Sequence, residues 1–198
     1  MQPESERGTR ERLLSAGAAL FAENGFGGVS VREICQRAKT SSNMVHHYFE
    51  SKAGLLDAII KQFGVHVVAL PLRLLEPPAR SPEDFQARIE MLFGATLDAF
   101  MAERDVMMVV AQEQADVPAL VEYFEQFTQF LENGKESGFV RAGLDTEMIT
   151  GAILDRIRNQ VQFAPWMRRN FGIDIADSEY RKRWCASNVD LLLHGLVP

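Results

Sequence analysis

The chain has 198 residues, of which 46% are hydrophobic and 24% charged, and a net charge of −6. These are the proportions of an ordinary globular fold of one or two domains with a sizeable core. No internal repeat or low-complexity segment is found, and two cysteines, Cys35 and Cys185, are too few for a disulfide framework or a thiolate metal site. Both are expected as buried structural thiols. No apolar run approaches the roughly 20 residues that span a bilayer; VVALPLRLL at 67–75 is broken by Pro71 and Arg73. The polar start MQPESERGTRER lacks the apolar core of a signal peptide. A cytoplasmic protein with no membrane partner is expected.

The pattern is helical throughout, and no alternating β-branched run is long enough to require a strand. A first helix is predicted over about 9–24, with Leu13, Leu14, Gly17, Leu20 and Phe21 inward and Asn24-Gly25 as its stop. Ser30 and Glu33 have capping-box spacing, and Val31, Ile34, Cys35 and Ala38 give the next helix a buried face. Lys39-Thr40-Ser41 interrupts that pattern. Ser41 or Ser42 can cap a third helix to about Tyr48, with Met44, Val45 and Phe49 as apolar anchors. Ser51 can cap a fourth, striped by Leu55, Leu56, Ile59, Ile60, Phe63 and Val67 and ended by Pro71 or Pro77-Pro78. Ser81-Pro82-Glu83-Asp84 is a strong start signal for the fifth. Further helices are predicted over 104–115, 118–136, 145–163 (capped by Asp145) and 178–193. The expectation is an all-α fold of about nine helices, divided into residues 1–54 and 55–198.

Residues 30–52 carry the functional signal. A capped helix, a turn and a short helix bearing Ser42, Asn43, His46 and His47 is the arrangement that major-groove reading needs. Residues 1–55 carry net charge +1 and the remainder −7. That distribution is compatible with DNA, because phosphate contact is local and screened beyond about 8–10 Å.

Ala38, Ser41, His47, Tyr48, Phe49, Ser51, Lys52, Leu55 and Leu56, with Phe21-Ala22, Asn24-Gly25 and Ser30 to Ile34 upstream, resemble the DNA-binding signature of TetR-type transcriptional regulators. The resemblance covers about residues 9–60. It implies a three-helix DNA-binding head, a linking fourth helix, and a helical body that dimerises and holds a small effector. By position it implies base or nearby backbone contacts for Ser41, Ser42, Asn43, Met44, His46 and His47, and phosphate contacts for Arg32, Tyr48 and Lys52. The partners implied are a double-stranded operator, a second copy of the chain and a small-molecule effector; repression rather than activation is a family expectation. Three departures bear on which operator is read. Lys39 replaces a turn glycine, Ser42-Asn43 replaces a common Lys-Gly pair, and His46 replaces the usual tyrosine.

Each residue also has a plainer reading. Asn43 pairs with adenine or satisfies free donors at a helix start. One of the two histidines touches DNA or packs on the first helix. Lys52 at a helix start opposes the dipole, which a phosphate partner would explain. Arg7 and Arg10 form a minor-groove arm or a solvated tail.

In the body, apolar residues are core by default. An effector pocket is expected among His66, Phe93, Phe100, Met107, Phe127, Asp155, Arg158, Asn159, Gln162, Phe163 and Trp166. A dimer interface is expected among Ile153, Arg156, Gln160, Trp184, Asn188, Leu191 and Leu192. The polar run at 155–162 has three readings: ligand, partner or solvent. Arg168, Arg169, Arg181, Lys182 and Arg183 are expected on a solvated face flanking a loop.

Catalysis has no visible motif. None of the four histidines has glutamate three residues before it, as di-iron bundles require, and no nucleophile–base arrangement stands out. No cofactor or metal is expected. An adaptor whose head binds protein is the other rival.

Overall fold

Local signals in the sequence place most helix starts. The computed structural model describes residues 4–196, with the side chains of 8–194, and these form ten helices and no strand. They are α1 Glu4–Asn24, α2 Val31–Arg37, α3 Met44–Phe49, α4 Lys52–Leu75, α5 Pro82–Ala102, α6 Arg104–Glu113, α7 Pro118–Glu136, α8 Thr146–Gln162, α9 Ala164–Phe171 and α10 Ser178–Leu196. The Ser30 capping box opens α2 as expected. The Ser51 hydroxyl accepts from Gly54 N–H at 3.0 Å at the start of α4, and Asp145 accepts from Met148 N–H at 3.0 Å at the start of α8. Gly25, at φ 71°, ends α1 in the left-handed conformation that glycine adopts without a Cβ penalty.

Of the two expected ends of α4, Pro77-Pro78 is the one that fits, since the helix runs past Pro71 to Leu75. Two expectations are corrected. An additional helix, α9, occupies what read as a loop; Pro165 sits in its first turn, where a missing N–H costs nothing. By length and composition α4 alone, among the described residues, could cross a membrane, with mean hydropathy 1.5 in its most apolar window. Its apolar stripe is used in packing, because Leu55, Ile59, Phe63, Val67 and Val68 are all buried.

The chain divides into two compact units, Met1–Val65 with Glu103–Val117, and His66–Ala102 with Pro118–Pro198. The division at 65/66 falls inside α4, later than the expected 54/55, and α6 joins the first unit from a distance in sequence.

In the first unit α1 packs on α2 and α6 around Leu13, Phe21, Ile34, Val45 and Leu55, each almost fully buried. Gly17 lets α4 close on α1: a Cβ there would lie 3.0 Å from Ile59 Cδ1 and 3.1 Å from Leu55 Cδ2.

In the second unit α5 packs against α8 and α10, and α7 against α8. Phe85 and Phe130 stack with centroids 5.2 Å apart. Within this core the Thr96 hydroxyl and the Tyr123 phenol form a buried 2.6 Å hydrogen bond, and burial pushes the phenol pKa far above its ordinary value. Removing one hydroxyl strands the other, whereas removing both leaves an apolar contact. Tyr123→Phe alone is therefore expected to cost about 1–3 kcal/mol, and the Thr96→Val/Tyr123→Phe pair less than either change alone. Urea denaturation of the four proteins checks this.

Candidate nucleic-acid interface

Six residues make a helix too short to hold itself, so α3 is placed by its neighbours. Val45 and Phe49 are buried beneath it, and the Arg10 guanidinium lies 5.5 Å from the Phe49 ring centroid. Arg10 thus belongs to α1 and is not a solvated tail; the Arg7 side chain lies outside the described residues. Before α3, Lys39 takes φ 52°, so the left-handed turn is kept without the usual glycine, at a cost of roughly 1–2 kcal/mol. Arg12 Nε donates to the Ala38 carbonyl at 3.1 Å, and Arg37 makes two 2.9 Å bonds to Glu23, which fasten this turn to α1.

The start of α3 differs from expectation. Asn43 is the N-cap, not Ser41 or Ser42, and its side chain makes no cap bond. The helix-start reading of its amide therefore finds no hydrogen bond to support it. Ser41, Ser42, Asn43, His46 and His47 are exposed, and Met44 and Tyr48 are half-buried. His46 Nδ1 is 2.6 Å from the Glu50 carbonyl, and the His47 ring stands edge-on to Tyr48 at 4.7 Å. Arg32 is exposed on α2.

After α3 the chain turns on Glu50, at φ 65° and ψ −36°, with Ser51 N–H donating to the Phe49 carbonyl at 2.7 Å. That is a γ-turn of the strained, positive-φ kind. Gly54 is required beside it, since a Cβ would sit 2.0 Å from the Phe49 carbonyl oxygen.

Lys52, expected to meet a phosphate, has partners inside the head. Its ammonium donates to the Phe26 and Val29 carbonyls, both at 2.8 Å, and lies 4.3 Å from the Phe26 ring centroid. A cation at the start of α4 is thus accounted for inside the head, and it ties the loop after α1 to α4. Phe26 N–H in turn donates to Glu113 of α6 at 3.1 Å, a contact 87 residues apart that no local signal announces.

At the start of α2, Ser30 Oγ and N–H donate to Glu33 at 2.6 and 2.8 Å and lower its carboxyl below its ordinary value of 4.5.

The second unit holds an open groove of about 600 Å³ lined by α8, α9 and α10 residues. Asp155, Asn159, Phe163 and Trp166 from the expected effector set line it, together with Arg156, Gln160 and Trp184 from the expected interface set. The other expected pocket residues do not. Phe93, Phe100 and Phe127 are buried core, Phe93 lying 5.3 Å from the Trp184 ring. His66 is exposed, Met107 lies on α6 in the first unit, and Gln162 is exposed. Arg158 is exposed and pairs with Asp155 at 2.8 Å. Among the expected interface residues, Ile153 and Asn188 are buried within the chain itself, 2% and 3% exposed, and Asn188 accepts from Arg156. Leu191 is exposed and Leu192 half-buried. Cys185 is half-buried, less than expected. Arg168, Arg181 and Lys182 are held in ion pairs with Asp174, Asp98 and Glu179.

A capped α2, a fixed turn and an α3 with its polar side exposed, joined to an all-helical body, define a helix-turn-helix transcriptional regulator. Residues 13–59 match the family described as bacterial regulatory proteins, tetR family. The HTH-type transcriptional regulator UidR of Escherichia coli is 28% identical over 162 residues, 78% of this chain and 80% of that protein. The HTH-type transcriptional repressor KstR2 of Mycobacterium tuberculosis is 27% identical over 157 residues, 74% of this chain and 76% of that one. The solved structure of that ketosteroid regulator superposes with a TM-score of 0.71, covering 100% of this chain and 97% of its own. FadR of Bacillus subtilis, solved in complex with stearoyl-CoA, gives 0.69 at 18% identity over 93% of this chain and 98% of its own. Residues 13–59 are thus similar to the tetR family, and over about three quarters of its length the chain is similar to HTH-type transcriptional regulators.

Two outcomes follow for the head. The Glu33 contribution is present above its ordinary value and lost as pH falls through the lowered folded value. Glu33→Gln is expected to flatten the acid limb of a Tm-versus-pH curve near and below that range. Lys52→Met is expected to lower stability by about 1–3 kcal/mol through two stranded carbonyls. If Lys52 has no phosphate partner, the salt dependence of DNA binding keeps its slope; a lost phosphate contact would reduce that slope by about 0.9. Anisotropy titrations at several salt concentrations separate the two roles.

Proposed function

We propose that the protein is a homodimeric repressor that binds a near-palindromic operator and is released by a small-molecule effector. The observation that carries the reading is the exposed polar side of α3, Ser42, Asn43, His46 and His47, on a helix fixed at both ends. Two such helices about 34–36 Å apart enter successive major grooves. Asn43 pairs with adenine, while Arg32, Tyr48 and the Ser41 hydroxyl approach the phosphate backbone. A regulator of this kind works in the cytoplasm, where its DNA is.

The second subunit docks on the α8–α10 side. The support is its solvent-facing apolar surface: Phe163, Trp166, Phe171 and Leu191 are 54%, 46%, 62% and 60% exposed, beside a groove with room for side chains. Such a surface, rimmed by polar groups, marks an interaction site. Arg156, Gln160 and Trp184 then face the partner. The effector is taken to be a largely apolar acyl or steroid-type molecule. Support comes from the fold shared with a ketosteroid regulator and with a regulator solved with stearoyl-CoA. Its binding favours a conformer with lower DNA affinity, a population shift set by differential affinity.

Fluorescence anisotropy with fragments of the protein's own promoter tests the reading. Salt-sensitive, sequence-specific binding is expected, weakened by about 1–3 kcal/mol in Asn43→Ala and relaxed at one base position. A chain confirmed as a folded dimer by sedimentation, yet without specific binding, would sink it.

A further inference from the structure

His46 is exposed on α3, and its Nδ1 lies 2.6 Å from the Glu50 carbonyl oxygen. A carbonyl only accepts, so Nδ1 must carry a proton. The carbonyl is there to be bonded because Glu50 stands past the last turn of α3, where intrahelical donors run out. It is also held in place. The γ-turn at Glu50 and the close approach of Gly54 to the Phe49 carbonyl leave the corner little freedom. The bond therefore selects one tautomer of the neutral ring, as a partner on one imidazole nitrogen always does. In that tautomer Nε2 carries a lone pair and no proton.

We propose that His46 determines operator specificity as a hydrogen-bond acceptor, its Nε2 taking an N–H from an exocyclic base amine, adenine N6 or cytosine N4. The proposal rests on the reading that α3 enters the major groove. Guanine presents only acceptors there, N7 and O6, and thymine only O4 and a methyl, so neither can donate to Nε2. A tyrosine hydroxyl at this position rotates to donate or accept. The tethered imidazole does neither freely, so replacing the usual tyrosine narrows the choice of base.

The test has two arms on the full-length chain at about pH 8, where an ordinary imidazole is neutral. In the first, random-sequence duplexes are selected by the wild type, by His46→Ala and by His46→Arg. The wild type should prefer one base pair by about fivefold at one position in each half-site. His46→Ala should flatten that position and leave the others unchanged, His46→Arg, a donor only, should change the pair or its orientation, and replacing the exocyclic amine of the selected pair by hydrogen (purine for adenine, 2-pyrimidinone for cytosine) should remove the wild-type preference. An unchanged wild-type affinity for the duplex without that amine, or an unchanged preference in His46→Ala, overturns the proposal. The second arm needs no variant: long-range nitrogen–proton NMR correlations should show His46 protonated on Nδ1, and a ring protonated on Nε2 alone overturns it. Failure of the wild type to enrich any sequence defeats the DNA-binding reading itself, whereas enrichment without a His46-dependent position defeats only this one.

Discussion

A six-residue helix contributes too few backbone bonds to fix its own position, so everything α3 does depends on what grips it. Val45 and Phe49 hold it from below, and the two corners hold it at its ends. Both corners use a non-glycine residue at positive φ, Lys39 before the helix and Glu50 after it. Each is strained, and each survives because neighbouring contacts leave no alternative. The Arg12 bond to Ala38 and the Arg37–Glu23 pair secure the first corner, while the Ser51–Gly54 cap secures the second. Strain concentrated around a short helix is the signature of a part that must present side chains in one orientation.

The head was legible in the sequence because its signals are local. The Ser30–Glu33 box, the Ser51 cap and the Asn24-Gly25 stop act within a few residues, and each is found in the structure. What local signals could not show is where side chains go once distant segments meet. Lys52 looked like a cation awaiting a phosphate, because a helix-start rule sees only the helix; its carbonyl partners lie 23 and 26 residues away. The third-helix cap was misplaced by a residue or two because Ser41, Ser42 and Asn43 are all competent caps. In α4, Pro71 removes one N–H but leaves the flanking turns intact, and apolar packing carries the helix past it.

The body was less legible, for a related reason. Phenylalanines at helical spacing have the same pattern whether they fill a core or line a cavity, and only tertiary packing shows that Phe93, Phe100 and Phe127 are core. The Thr96–Tyr123 pair joins residues 27 apart and has no sequence signature. The polar run of α8 proved divided. Asp155, Arg156, Asn159 and Gln160 line the groove, while Arg158 and Gln162 do not.

Glu113 reaches back to Phe26, and Gln112 to the Ala22 carbonyl, so the α6 segment closes a unit whose other residues all precede residue 66. On a ribosome the head's own sequence emerges long before the segment that completes it. Until about residue 117 is available, the face of α1 that α6 covers stays open to water. Loop closure over such a separation adds entropy cost and slows folding. The helix-turn-helix unit is therefore finished only after part of the body has been made, which limits the time it could exist folded on its own.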